Sequence, residues 1–386
     1  MGRRRAGDLR RGIGLVVTWW AAPALAGAAY YLLVLIGAVR WRRSPGCVAP
    51  AGGPVTPVSI LKPIHGRDPR FFEAIRSHAA QDYPQFEILF GFSDPKDPAA
   101  EDIARLQAEF PRIPISAHVV STTAPNTKVG VLADLARRAR YPVLLVNDSD
   151  IVVEPGYLRA VMVPLLDKKV GLVTCLYRAA AQSWPSRAEA LGIATEFAPS
   201  VIVARLLGVA EFALGSTMVF RADSLRAIGG FEALQEYLAD DYQLGRQMTE
   251  SLHLRIEFAP VVVETDLGAQ SWAEVWRHQL RWSRTIRVSR RSGYYGYAVT
   301  QATLWALVAF AAGAWWAGAL ALGVRTLAGV VVGRGILGYR RVLTDFWMIP
   351  LRDLFGFAVW LGGLFGDDVL WRGKRLRLEQ DGRIRP

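Results

Sequence analysis

The chain of 386 residues is 52% hydrophobic and 21% charged, with a formal charge of +12 that comes mostly from arginine. A positive mean hydropathy beside that much charge is the composition of a soluble-type domain joined to membrane segments. No recognised binding motif accompanies the basic charge, which excludes nucleic acid as a partner; two cysteines, Cys47 and Cys175, do not make a disulfide framework or a cysteine metal site.

Residues 14–39, "GLVVTWWAAPALAGAAYYLLVLIGAV", carry no charge and exceed the roughly 20 residues that a helix needs to cross the hydrocarbon. The run continues well past Ala24, Leu25 and Ala26, where a leader would be cleaved, so residues 1–43 read as a basic segment and an anchor. Basic clusters lie on both sides of this span and leave its orientation open. A proline and glycine linker over 44–57 follows.

Strand and helix then alternate four times over residues 58–147: "VSIL", "FEILFGF", "ISAHVV" and "PVLLV" read as strands, with amphipathic helices between them. That is the pattern of a doubly wound α/β sheet, in which ligands sit beyond the carboxyl ends of the strands. Strands follow at "VGLVTCLY", "STMVFRA" and "LRIEF", with one long apolar helix through "RAEALGIATEFAPSVIVARLL". The catalytic stretch is expected to run over 58–270.

Residues 142–153, "PVLLVNDSDIVV", drive an apolar strand into Asp148 and Asp150. On a continuing strand both carboxylates face one side, where they repel, and a divalent cation removes the conflict. Mg²⁺ or Mn²⁺ is held by one or two carboxylates together with phosphate oxygens, which suits a metal diphosphate; capping of the next helix is the plainer alternative. Asp94 in "GFSDPKDP" ends the second strand, where a base or ribose would lie, or makes an Asx turn before Pro95. Asp240 and Asp241 open a helix in "LADDYQLG". Lys62 and Lys128, at strand and helix ends, read as solvated, with reach to the nucleotide or its phosphates as the alternative.

An amphipathic helix over 271–293 sets Arg277, Arg281, Arg284, Arg287 and Arg291 on one stripe, beside Trp272 and Trp276. It reads as an interfacial helix snorkelling toward lipid phosphates, with Arg281 or a neighbour gripping a leaving diphosphate. Residues 294–370 hold two or three membrane segments: an uncharged span at 296–324, a short re-entrant piece at 327–338 and an apolar run at 345–366 interrupted by Arg352 and Asp353. Residues 371–386 form a basic tail.

"SILKPIHGRDP", "QDYPQFEILFGFSDPKDPA", "NTKV", "NDSDI", "LADDYQLG" and "HQLRW" occur in the order found in the ceramide glucosyltransferase family, which this chain resembles over about residues 55–290. The resemblance implies a GT-A type, Rossmann-like α/β domain with a mixed sheet and flanking transmembrane helices. It implies an inverting transfer of glucose or N-acetylglucosamine from a UDP-sugar to a hydroxyl of a membrane lipid, ceramide or a hopanoid, in a multi-pass inner-membrane protein whose catalytic domain faces the cytoplasm. Asp94 and Asp148 would hold the nucleotide sugar, Asp148 and Asp150 the metal, and Asp241 would be the general base. Arg281 and Trp282 match the closing motif, whose first position, usually Gln or Arg, is His278 here; the three would help hold the nucleotide sugar, His278 by bonding a phosphate or else an acceptor hydroxyl, with a partly exposed helix residue as its plainer reading. A processive polysaccharide synthase and an inactive membrane-anchored scaffold are the rival readings.

Overall fold

The computed structural model describes residues 2–43, 55–209, 211–371 and 373–385, with side chains from Trp19 onward. Cys47, Arg372, most of the linker at 44–57 and the side chains of the N-terminal basic run lie outside the described residues. The chain opens with α1 (Gly2–Arg43) and continues through β1 (Val58–Pro63), α2 (Phe71–Ala79), β2 (Phe86–Phe92), α3 (Ala99–Glu109), β3 (Ile115–Val119), α4 (Thr127–Arg138) and β4 (Val143–Val146). Next come α5 (Tyr157–Met162), β5 (Val170–Ala180), α6 (Trp184–Gly192), α7 (Ala198–Leu206), β6 (Met218–Arg221), α8 (Ala222–Ala227), α9 (Asp240–Glu250) and β7 (Arg255–Asp266). The last part holds α10 (Trp272–Ser289), α11 (Arg291–Gly296), α12 (Ala302–Ala311), α13 (Trp315–Gly335), α14 (Val342–Asp345), α15 (Ile349–Gly363), β8 (Asp368–Trp371), β9 (Lys374–Leu378) and β10 (Ile384–Arg385).

Two units divide these elements: a sheet unit of residues 45–186, 210–271 and 367–386, and a helical unit of residues 1–44, 187–209 and 272–366. In the sheet unit the seven strands run in the order β3-β2-β1-β4-β6-β5-β7. The first four are parallel, β6 is antiparallel to β4 and β5, and β5 is parallel to β7. β1, β2 and β4 are buried along their whole length, which is why they read as mostly apolar runs without polar alternation. Ile60, Phe90 and Leu145 meet Phe71, Ile75 and Ile103 on one face; Leu61, Leu89 and Leu144 meet Val129, Leu132 and Met248 on the other. This doubly covered sheet leaves the carboxyl ends of β1, β2, β4 and β7 on one rim.

In the helical unit, residues Trp19–Arg43 and Trp315–Gly335 are long and apolar enough to cross a membrane, with mean hydropathies of 1.9 and 1.5. Ala21, Ala24 and Ala28 of α1 are buried against Ala306, Ala309, Ala317 and Ala321 of α12 and α13. Small side chains of this kind let helix backbones approach closely in lipid. The stretch read as one span at 296–324 is divided in two: Gly313 takes a φ of 82°, and Ala314 N donates to Ala309 O at 2.8 Å. That left-handed residue and its closing bond are a Schellman stop, which apolarity alone does not reveal. Residues 327–338, read as re-entrant, fall mostly in the second half of α13.

Arg352 and Asp353 do not pair with each other. Asp353 accepts two bonds from Arg325, at 2.6 and 3.0 Å, and one from Thr303, and the Arg325 guanidinium lies 4.7 Å above the Tyr31 ring. The arginine stripe is also shorter than its spacing suggested, because α10 ends at Ser289 and Arg291 starts α11. Arg284 donates to Phe365 O and Arg287 to Leu364 O and Gly366 O, so these two close the last carbonyls after α15 instead of snorkelling freely.

Candidate active site

The rim of the sheet unit is built where buried strands stop. β4 ends at Val146, so the alternation expected to carry Asp148 and Asp150 on one strand face does not reach them; they sit in the turn that follows. That turn is tied down on several sides. Asn147 donates to His78 at 2.7 Å, Ser149 to Asp68 at 2.7 Å, and Thr265, at the end of β7, to Asp150.

Lys62 and Lys128 are not solvated surface lysines: they are 0% and 9% exposed. Lys62, next to last in β1, donates to Asp148 O at 3.0 Å. Lys128 enters α4 two residues after its cap Asn126, whose side chain accepts from Val129 N at 3.2 Å. Its ammonium lies 3.0 Å from Asp148 Oδ1 and 3.4 Å from Asp240 Oδ2, so it bridges the two acidic segments.

Asp241 is held by the backbone, Oδ2 accepting from Gly215 N at 2.9 Å and Oδ1 from Tyr242 N at 2.7 Å. A Cβ on Gly215 would stand 3.3 Å from Asp241 Oδ2 and 3.5 Å from Asp148 Oδ2, so both carboxylates face one small space that the missing side chain leaves open. Burial, and then the neighbouring Asp240, push Asp241 up to about 6, against the favourable pull of Lys128. Burial and then Asp148 raise Asp150 to about 6 as well. Burial lowers Lys62 to about 7 even though Asp150, Asp148 and Asp68 favour its charge.

Asp94 follows β2 as an exposed residue whose Oδ1 accepts from Lys96 N at 2.8 Å, an Asx turn. His278, Arg281 and Trp282 belong to α10 of the helical unit, where Trp282 lies 4.7 Å from the His278 ring and 6.3 Å from Phe197. The rim thus gathers Asp148, Asp150 and Asp241 and adds Asp68, Lys62, Lys128, Gly215 and Thr265, which sequence reasoning passed over or discounted. The sequence carries no signal for the burial of the two lysines, which depends on the turn that brings Asp148 to them.

Among the described residues no group of three or more His, Cys, Asp or Glu side chains is arranged to hold a metal ion. A cation that takes most of its ligands from substrate phosphate and water needs only one or two carboxylates, and Asp148 beside the open space at Gly215, with Asp150 in the same turn, fits that demand.

The profile of the family described as Glycosyl transferase family 21 matches residues 18–384. Ceramide glucosyltransferase 1 of Caenorhabditis elegans is 31% identical over 197 residues, which cover 50% of this chain and 42% of that protein. The ceramide glucosyltransferase of Gibberella zeae is 29% identical over 170 residues, 38% of this chain and 32% of its own length. The chain therefore spans less than half the length of the curated relatives it matches. Among solved structures, the mannosyltransferase PcManGT from Pyrobaculum calidifontis, in complex with GDP-Man and Mn²⁺, has a similar fold: TM-score 0.54 at 18% identity, covering 90% of this chain and 99% of that one. The expected GT-A type α/β fold with a mixed sheet is borne out.

Proposed function

Because the chain belongs to glycosyl transferase family 21, we propose that it moves a hexosyl group from a UDP-sugar to the hydroxyl of a membrane lipid of the ceramide kind, with inversion at the anomeric carbon. The observation that carries this reading is the shared space of Asp148 and Asp241 beside Gly215, with Asp241 raised to about 6. A carboxylate at that value is still ionised at neutral pH and is a stronger base than a solvated aspartate.

In the reaction the acceptor oxygen bonds to the anomeric carbon, the bond from that carbon to the diphosphate breaks, UDP leaves with the electron pair, and Asp241 takes the hydroxyl proton. The Gly215 and Tyr242 amides fix the carboxylate, so its remaining lone pairs keep one direction toward the acceptor. Lys128 stays charged between Asp148 and Asp240, and its positive charge offsets the repulsion among the acids. Asp148 and Asp150 would hold Mg²⁺ or Mn²⁺, which when bound supplies positive charge to the departing diphosphate. Asp94 on the nucleotide and Arg281 and Trp282 on the diphosphate side belong to the same proposal and rest on motif resemblance. The two apolar helices support a membrane location, and the cytoplasmic origin of UDP-sugars supports a catalytic rim on that side.

Incubating the purified full chain with UDP-glucose or UDP-N-acetylglucosamine and ceramide or a hopanoid polyol, and weighing the product, tests the reading. Asp241→Asn is expected to bind UDP-sugar within about threefold of wild type and to lose transfer by roughly 10²- to 10⁴-fold. Turnover above a tenth of wild type in that variant removes Asp241 from the base role.

A further inference from the structure

The helical unit holds a second polar cluster that the rim chemistry does not use. Glu189, on α6, is 1% exposed, and its Oε1 lies 2.7 Å from His278 Nδ1. A carboxylate only accepts, so Nδ1 carries the hydrogen and Nε2 is the ring nitrogen left to meet a ligand. One residue on, Gln279 Oε1 accepts from Arg352 at 2.9 Å, and the same Arg352 nitrogen lies 3.4 Å from Glu196 Oε2. Glu196 sits in a π-helical turn, Ile193–Phe197, between α6 and α7, a local irregularity that recurs at functional sites.

Two glycines make room for this arginine. A Cβ on Gly192 would stand 2.4 Å from Arg352 Nε, and one on Gly356 would stand 2.7 Å from Nη1 and 3.2 Å from Glu196 Oε1. Even so, the cluster is not satisfied. Glu189 Oε2, Glu196 Oε2, Arg352 Nε and Arg352 Nη1 are all buried without a hydrogen-bond partner. Ionised groups beside membrane helices cost several kcal/mol, and orphaned polar atoms add to that cost.

A purely structural polar joint looks different, and the same unit contains one. Arg325 is 0% exposed, both oxygens of its partner Asp353 are used, Thr303 completes the set, and only Nη1 of the arginine is left over. The Glu189 and Arg352 cluster instead leaves two acceptors and two donors open, and two of its members, His278 and Glu196, are partly exposed.

We propose that Glu189, His278, Glu196 and Arg352 form the site that holds the polar head of the acceptor lipid, and that it selects uncharged heads bearing hydroxyl and amide or vicinal hydroxyl groups. The open carboxylate oxygens accept from hydroxyl or amide hydrogens and His278 Nε2 bonds a hydroxyl, while Arg352 Nε and Nη1 donate to a carbonyl or hydroxyl oxygen. Two carboxylates against one arginine make the site electronegative, so a phosphate-bearing head is repelled. Trp282, tilted against the His278 ring, offers an apolar wall for the chain that follows the head. This inference rests on the transferase reading for the identity of the lipid as acceptor; the binding selectivity stands by itself.

The test measures equilibrium binding of a fluorescent short-chain ceramide, and of the same molecule esterified with phosphate, to the full chain in detergent. UDP binding is recorded as a control of folding. Wild type is expected to bind the alcohol at least tenfold more tightly than the phosphate ester. Glu196→Gln is expected to weaken alcohol binding about tenfold and to shrink the preference over the ester, a change of selectivity that a packing role would not produce. Glu189→Gln is expected to weaken alcohol binding with UDP binding unchanged, and His278→Leu to weaken alcohol binding too; these two decide the matter if Glu196→Gln does not fold. Equal binding of both lipids by wild type, no binding of either, or variants within twofold of wild type overturns the proposal. Selective lipid binding without transfer from any UDP-sugar would sink the transferase reading and leave this site standing; transfer with unselective lipid binding would do the reverse.

Discussion

The acids at the rim are spaced closely enough to work against each other, and that sets how the site responds to pH. Asp150 and Asp241, raised to about 6, favour the folded chain fully below their ordinary value near 3.8 and lose that contribution as pH rises through 6. Lys62, lowered to about 7 from 10.5, has the opposite sign: its contribution is whole above 10.5 and is lost as pH falls through 7. Near neutrality both contributions are absent, and a divalent cation relieves the carboxylate part. Below pH 6 a proton competes for Asp150 while Lys62 is charged beside it, and both effects oppose the cation. Mn²⁺ affinity, followed by calorimetry, is therefore expected to fall about fivefold between about pH 6 and 5. A flat affinity over that interval would show that Asp150 does not hold the ion. Asp148, Asp150 and Asp241 were legible from their spacing and motif order. The lysines were not, because whether a lysine at a strand end is solvated depends on what α4 and the turn after β4 bring to it.

Local patterns placed β1, β2 and β4 well, since strands buried on both faces are mostly apolar; Ser59 and Glu87, two polar side chains inside β1 and β2, bond each other at 2.6 Å. They placed the C-terminal end badly. Residues 371–386 look like a basic tail by composition, yet Arg375, Leu376, Arg377 and Leu378 alternate, and Leu376 and Leu378 are buried while the arginines are exposed. That period of two makes β9, and the three-stranded sheet β10-β9-β8 follows. The sheet touches the segment leading into the acids: Ile384 N donates to Glu236 O at 2.7 Å, and Arg383 lies 5.8 Å from the Tyr237 ring. Tyr237 O in turn accepts from Asn126, the cap of α4, at 2.7 Å. β10 thus braces, from outside, the loop that delivers Asp240 and Asp241. Deleting residues 381–386 is expected to raise amide exchange over residues 235–241 at least tenfold and to lower transfer more than UDP binding. Ile384→Ala alone should cost about 2 kcal/mol. Unchanged exchange over that segment in the deletion would show that the brace carries no load.

Across the whole molecule, the two units are interleaved along the chain, which passes from one to the other five times. Composition does not reveal this, because the apolar helix at 187–207 reads equally well as part of an α/β domain or as a partner of membrane helices. In the structure α6 and α7 join the helical unit, and a Cβ on Gly37 of α1 would stand 2.6 Å from Ile202 Cγ2 on α7, so the two helices are in close contact. Val201, Ile202 and Ala198 are buried there. A fragment cut as 58–271 keeps α6 and α7, loses α1 and α13 that cover them, and loses β10 as well. Its exposed apolar helix is a patch of the kind that drives aggregation. That fragment is expected to be insoluble without detergent, whereas replacing residues 187–209 in it by a short glycine and serine linker should recover soluble protein, read by size-exclusion chromatography. A 58–271 fragment that is monodisperse without detergent, and unfolds in one cooperative step, would mean that α6 and α7 belong with the sheet after all.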